Sequence, residues 1–252
     1  MYAAPPPQPG ARIPQQPAAL AARLDSTLRD LNAAVDRWNG LTARPPQNVI
    51  LEALYEQRIS ILLSEKPPLA TAVLRRVLGA RQVRSDVIAR RELRQLSRPQ
   101  PLNAFSTGPA APVYRLRGFY TEAQRRFHVG WHVLAAVNYV ESAFNKLRNS
   151  STAGAQGPMQ FLPATWRAYG MGGNVRDPHD AILGAANYLH ANGAPRDYAR
   201  ALYRYNPSQL YVDAVLRYAA MMRTDPRAFY VLYSRQVFVR TAHGLVRLTG
   251  PK

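Results

Sequence analysis

The chain predicts a mainly α protein that ends in a small β-hairpin, and three observations carry that prediction. Apolar residues recur at spacings of three and four from about residue 18 to residue 223. Proline, glycine and Asn-Gly pairs cut this stretch into helix-length pieces. Only then does the period change. Val237, Val239 and Thr241, followed by Leu245 and Arg247, alternate across Ala242-His243-Gly244 as the two strands of a hairpin do.

Taken in order, residues 1–17 are Pro, Ala and Gln with almost no large apolar groups, which predicts a disordered or polyproline-like tether. Residues 18–98 predict a helical N-terminal region. Leu20, Leu24, Leu28, Leu31 and Val35 form a first helix that stops at Asn39-Gly40. A second follows over about 48–64, with Val49, Leu51, Leu54, Ile59 and Leu62 on its apolar side. Pro67-Pro68 opens a third that runs through Val73, Leu74, Val77 and Leu78 to Gly79. The fourth, 82–97, sets Val83, Val87, Leu93 and Leu96 against four arginines. Residues 99–117, rich in Pro, Gly and Ser, read as a linker. A second helical unit then occupies 118–225. Within it Asp177-Pro178-His179-Asp180 is a helix start, with Asp at the N-cap, Pro at the first position and an acid at the third. Residues 226–252 are an extension that carries the hairpin.

Composition narrows the chemistry. The 252 residues carry a formal net charge of +18, and all but three of the 33 basic residues (Lys66, Lys146 and Lys252) are arginine. Such a surface attracts any polyanion: nucleic acid, anionic lipid or an acidic wall polymer. The arginines are spread along the chain and form no nucleic-acid-binding module, so no specific nucleic-acid partner is expected. The absence of cysteine excludes disulfides, thiolate metal sites and cysteine nucleophiles. No apolar run approaches the ~20 residues needed to span a bilayer. The N-terminus lacks the apolar core of a signal peptide, which fits either a cytosolic protein or a mature form whose export signal has been removed.

The chemistry concentrates between His128 and Gly170. Val133, Val137, Val140 and Phe144 predict a helix with Glu141 near its C-terminal end, an acid among apolar neighbours. Poor solvation and the negative end of the helix dipole both raise a carboxyl pKa, which suits a proton donor near neutral pH. The Ser-, Thr- and Gly-rich stretch that follows tightens into Gly157-Pro158-Met159-Gln160-Phe161, a loop whose backbone can approach a ligand closely. Pro207 forces Asn206 out of helical geometry and leaves its amide on a loop edge. His128 and His132 have the four-residue spacing of helical metal sites, but Val129 replaces the expected Glu and no third ligand is evident. No metal and no cofactor are therefore expected.

Glu141-Ser142, then Gly154 to Trp166 (GAQGPMQFLPATW), then Tyr205-Asn206-Pro207-Ser208 resemble the lytic transglycosylases that cleave bacterial peptidoglycan. The Gly-Pro-Met-Gln-Phe form is most similar to the membrane-bound lytic transglycosylase B type. Soluble lytic transglycosylases and goose-type lysozymes share a looser version. The match spans roughly 120–223. The resemblance implies a lysozyme-like α-helical catalytic domain with Glu141 as the catalytic acid. It further implies that Ser142, Gly157, Met159, Gln160, Tyr188, Tyr205 and Asn206 surround the substrate. For Ser142, bonding back to its own helix is the competing reading. For Met159 and Phe161 it is core packing.

No acid lies between Glu141 and Asp177, and Asp177 and Asp180 look committed to capping. A two-carboxylate glycosidase needs a second acid, so this pattern favours cleavage of the MurNAc–GlcNAc β-1,4 bond with closure of a 1,6-anhydro ring. Asp197 or Glu122, folded into the cleft, would restore a lysozyme-like hydrolase instead. A non-catalytic wall-binding scaffold is the alternative from a different class. The partners expected are peptidoglycan strands, with a membrane tether or envelope protein reached through the N-terminal region. The chain is expected to be a monomer in the cell envelope.

Overall fold

The computed structural model describes residues 5–151 and 153–251. Its described residues form eleven α-helices, one 3-10 turn and one hairpin. The first four helices are α1 (Pro17–Trp38), α2 (Gln47–Glu65), α3 (Pro67–Leu74) and α4 (Arg81–Leu96). Next come α5 (Val113–Phe127), α6 (Trp131–Ser142), α7 (Pro163–Tyr169) and α8 (Pro178–Ala191). Then α9 (Tyr198–Tyr205), α10 (Gln209–Thr224) and α11 (Arg227–Ser234) precede β1 (Phe238–Thr241) and β2 (Gly244–Arg247). The mainly α class and the terminal hairpin are thus as the sequence predicts. The strands pair antiparallel with Thr241 opposite Gly244, so Ala242-His243 is the turn.

Two apolar clusters hold the helices. The smaller joins Leu20 and Leu24 of α1 with Tyr55, Ile59 and Leu63 of α2, Val73 of α3 and Val83 and Val87 of α4. The larger runs from Leu31, Val35 and Trp38 at the far end of α1 through α5, α6, α8, α10 and α11. Helix α1 therefore belongs to both, which explains its unbroken apolar stripe. Between the two lies a buried set of charges. Arg235, just past α11, bonds Glu56 of α2 at 2.7 Å and Asp86 of α4 at 2.8 Å. Asp86 also accepts from Arg90 at 2.9 Å and from the Tyr218 hydroxyl of α10 at 3.0 Å. A buried carboxylate is tolerated only when its oxygens are filled in this way.

Several elements differ from expectation. Residues 5–16 do not hang free. Arg58 donates to the carbonyls of Pro9 and Ala11, Tyr55 donates to that of Arg12, and Ile13 packs on the smaller cluster. A proline-rich strand has few donors of its own, and here α2 supplies them. Residues 1–4 of the expected tether lie outside the described residues. Helix α3 stops at Leu74, and residues 75–80 form a turn that buries Val77 and leaves Leu78 outside. Helix α5 begins at Val113, inside the expected linker, and α11 was not anticipated at all. Finally, His128 ends α5 in left-handed conformation (φ 59°) while His132 belongs to α6, so the two never share a helix face.

Candidate active site

Helix α6 ends one residue after Glu141. Ala143, Phe144 and Asn145 are all left-handed, with φ of 50°, 63° and 66°. The Ala143 and Phe144 amides turn back to the carbonyls of Tyr139 and Asn138. This is a Schellman-type ending, which satisfies the last carbonyls and reverses the chain. Phe144, expected one turn along the helix from Glu141, instead lies beyond it and packs on Tyr139 and Phe229.

Glu141 itself is half-buried. Its Oε1 accepts the Tyr211 hydroxyl at 2.7 Å. Burial pushes its carboxyl up to about 7, and the Tyr211 hydrogen bond pulls the other way without cancelling the effect. The acid is therefore about half protonated at neutral pH. Tyr211, in the first turn of α10, lies on the buried face of that helix. A tyrosine on a buried stripe requires a partner for its hydroxyl, and that was the signal available. Both Tyr211 and Tyr205 feel the Glu141 charge, which holds their phenols well above the usual range together with burial, the larger cause.

The loop after α6 is a tight hairpin. Gln156 and Phe161 exchange both backbone hydrogen bonds at 2.9 Å. Gly157 is left-handed (φ +74°), and a Cβ there would lie 1.8 Å from the Val175 carbonyl oxygen, so only glycine fits. Gln160 is also left-handed (φ 49°) and turns its amide onto the Gly157 carbonyl at 2.9 Å. The Pro158 carbonyl accepts from Ser142 Oγ at 2.6 Å and from Asn138 Nδ2 at 2.8 Å, which ties the loop to α6. Tyr205 donates its hydroxyl to the Met159 carbonyl at 2.5 Å.

Two sequence expectations change here. Ser142 and Met159 are 1% and 0% exposed. Ser142 spends its hydroxyl on Pro158 and its own helix, and it accepts the Asn145 amide. Met159 fills the core. Neither has side-chain atoms open to the surface; both fix the shape of the loop. Gly157, Gln160, Tyr188, Tyr205 and Asn206 all keep open surface. Tyr188 packs edge-on against Tyr205, centroids 5.4 Å apart, and donates to the Arg204 carbonyl at 2.7 Å. Phe161 completes this aromatic group, 5.7 Å from Tyr205. Asn206 follows α9 in extended conformation, and its side chain has no hydrogen-bond partner among the described residues.

The other acids of the unit are engaged elsewhere. Glu122 pairs with His179 at 2.9 Å. Asp177 accepts the His179 and Asp180 amides at the start of α8, and Asp180 accepts the Asn174 amide. Asp197 caps α9 through the Arg200 amide. Asp213 accepts from Gln209, and Asp225 pairs with Arg227. Asp177, His179 and Asp180 converge closely enough for a shared ion, but capping and the Glu122 contact already account for their positions.

A family model described as the transglycosylase SLT domain matches residues 119–223. That stretch is similar to the transglycosylase SLT domain. The SLT segment thus begins within α5, ends within α10 and contains both Glu141 and Tyr211. The chain is 30% identical over 159 residues to a "Membrane-bound lytic murein transglycosylase F 1" of Alkalilimnicola ehrlichii, covering 57% of this chain and 32% of that one. It is 31% identical over 122 residues to the "Membrane-bound lytic murein transglycosylase F" of Thiobacillus denitrificans, covering 45% and 26%. The chain thus spans about a third or less of the length of these curated relatives. Both carry the F designation, and neither speaks for the B type suggested by the Gly-Pro-Met-Gln-Phe loop. No solved structure matches the chain.

Proposed function

We propose that the chain is a peptidoglycan lytic transglycosylase in which Glu141 is the sole acid and base. One observation carries this reading: a half-buried glutamate, its carboxyl raised to about 7 by burial and hydrogen-bonded by Tyr211, inside a stretch that matches the SLT domain. Glu141 protonates the glycosidic oxygen between MurNAc and GlcNAc as the C1–O bond breaks. The C6 hydroxyl of the same MurNAc then attacks C1, and its proton passes to the Glu141 carboxylate. The 1,6-anhydro ring closes, and the acid is restored for the next cycle. The separate engagement of the other six acids in 118–225 supports a mechanism without a second carboxylate.

In this reading Gly157, Gln160, Tyr188, Tyr205 and Asn206 line the glycan path, and the unpartnered Asn206 amide is a donor and acceptor for a sugar. Murein as substrate places the protein in the cell envelope, in keeping with the "membrane-bound" names of its relatives. Among the described residues, no helix is long and apolar enough to cross a membrane.

Mass spectrometry of muropeptides released from purified peptidoglycan tests the proposal. Wild type should give products one water lighter than hydrolytic ones, and Glu141→Gln should give none. Products with intact reducing ends would make the protein a hydrolase. No release by folded wild type would leave it a wall-binding scaffold.

A further inference from the structure

We propose that the outward face of α9 is a docking surface for the carboxylate-bearing peptides carried by the glycan strand, so that this protein selects peptide-substituted over bare strands. The inference rests on murein as substrate and adds which part of it is read. Arg200, Tyr203 and Arg204 project from one side of α9, and Arg196 precedes them in the turn before it. All four are exposed, Tyr203 by 48%. Spacings of three and four place Arg200, Tyr203 and Arg204 on one side of the helix.

The surface is positive and unneutralised. Among the described residues, none of these three arginines forms an ion pair. The nearby acid, Asp197, accepts the Arg200 backbone amide as the cap of α9. Free guanidinium groups are suited to bidentate carboxylate recognition, and the exposed Tyr203 ring offers an apolar platform between them.

The face is continuous with the candidate active site. The Arg204 carbonyl accepts the Tyr188 hydroxyl, and the Arg204 guanidinium is close enough to hold down the Tyr188 phenol, against the upward push of burial and of Tyr169. Tyr188 in turn packs on Tyr205, which precedes Asn206 and holds the Met159 carbonyl. A strand lying along Tyr205 and Asn206 therefore passes beside this face. Substituents that leave the strand as acidic peptides meet arginine there, whereas a bare glycan offers these residues no charge.

The test compares intact sacculi with sacculi stripped of peptides by an amidase, using the full chain. In the Glu141→Gln background, binding is read by co-sedimentation in moderate salt. Arg200→Ser with Arg204→Ser should weaken binding to intact sacculi roughly three- to tenfold and leave binding to stripped sacculi unchanged. Arg200→Lys with Arg204→Lys, which keeps the charge and loses the planar fork, should restore only part of the loss. With active protein, the same Ser pair should lower kcat/KM on peptide-bearing strands only. An equal fall on both substrates, or no fall on either, overturns the proposal. If wild type cleaves neither substrate the transglycosylase reading fails, and the co-sedimentation comparison still decides this one.

Discussion

The behaviour of Glu141 turns on one hydrogen bond working against a larger desolvation. A carboxyl poised near 7 can donate a proton and take one back without leaving the physiological range, which a surface glutamate near 4.5 cannot do. Because the protonated form is the one that donates a proton to the glycosidic oxygen, kcat/KM should fall as pH rises above about 7. The Tyr211 hydroxyl stabilises the ionised carboxylate, so Tyr211→Phe should raise the Glu141 pKa further. The expected outcome is an alkaline limb moved to higher pH, with folding stability reduced by about 1 kcal/mol. A pH–rate profile beside a urea titration checks both, and an unmoved limb would mean that Tyr211 has no hold on the acid. Glu141 itself was legible from its apolar neighbours. Tyr211 was not, because it lies 70 residues away and only folding brings the two together.

Among the elements, the Gly157–Phe161 loop is tightly constrained. Its left-handed Gly157 and Gln160, the paired Gln156 and Phe161 backbones and the ties from Ser142, Asn138 and Tyr205 leave it one shape. Gly157→Ala would place a methyl group 1.8 Å from the Val175 oxygen in a conformation that alanine avoids. It should cost about 2–4 kcal/mol and most of the activity, read as a lower thermal midpoint together with slower muropeptide release. The loop was legible because glycine, proline and glutamine at that spacing mean close backbone approach. The parts played by Ser142 and Met159 were not. Both types serve in cores and in clefts alike, and burial alone distinguishes the two.

Across the whole molecule, the N-terminal helices are joined to the SLT segment by charge as well as by apolar packing. Glu56 and Asp86 come from α2 and α4, Arg235 from the end of α11, and Tyr218 from the same helix as Tyr211. Asp86 stays ionised because Arg235 and Arg90 hold its pKa well below the usual range against burial. Asp86→Ala would leave Arg235 and Arg90 buried without that counter-charge. It should cost about 3–5 kcal/mol, seen as a lower urea midpoint and, because α10 loses its anchor at Tyr218, a fall in wall lysis. A midpoint within 1 kcal/mol of wild type would show that the cluster contributes little. Nothing local marks a charge as buried when its partners are 149 and 179 residues away.

By itself the sequence determined the helical class, most helix starts and stops, the terminal hairpin and the candidate acid. These follow from short-range physics: three-to-four apolar spacing, Asp177 as a cap, the Asn39-Gly40 stop and the alternation around Ala242-His243. The tertiary structure decided which residues meet across long separations. It placed Tyr211 on Glu141, closed the interior over Ser142 and Met159, laid residues 5–16 along α2 and left the arginines of α9 facing outward. Burial and the pairing of distant side chains are properties of the packed interior, and they exist only once the helices have assembled.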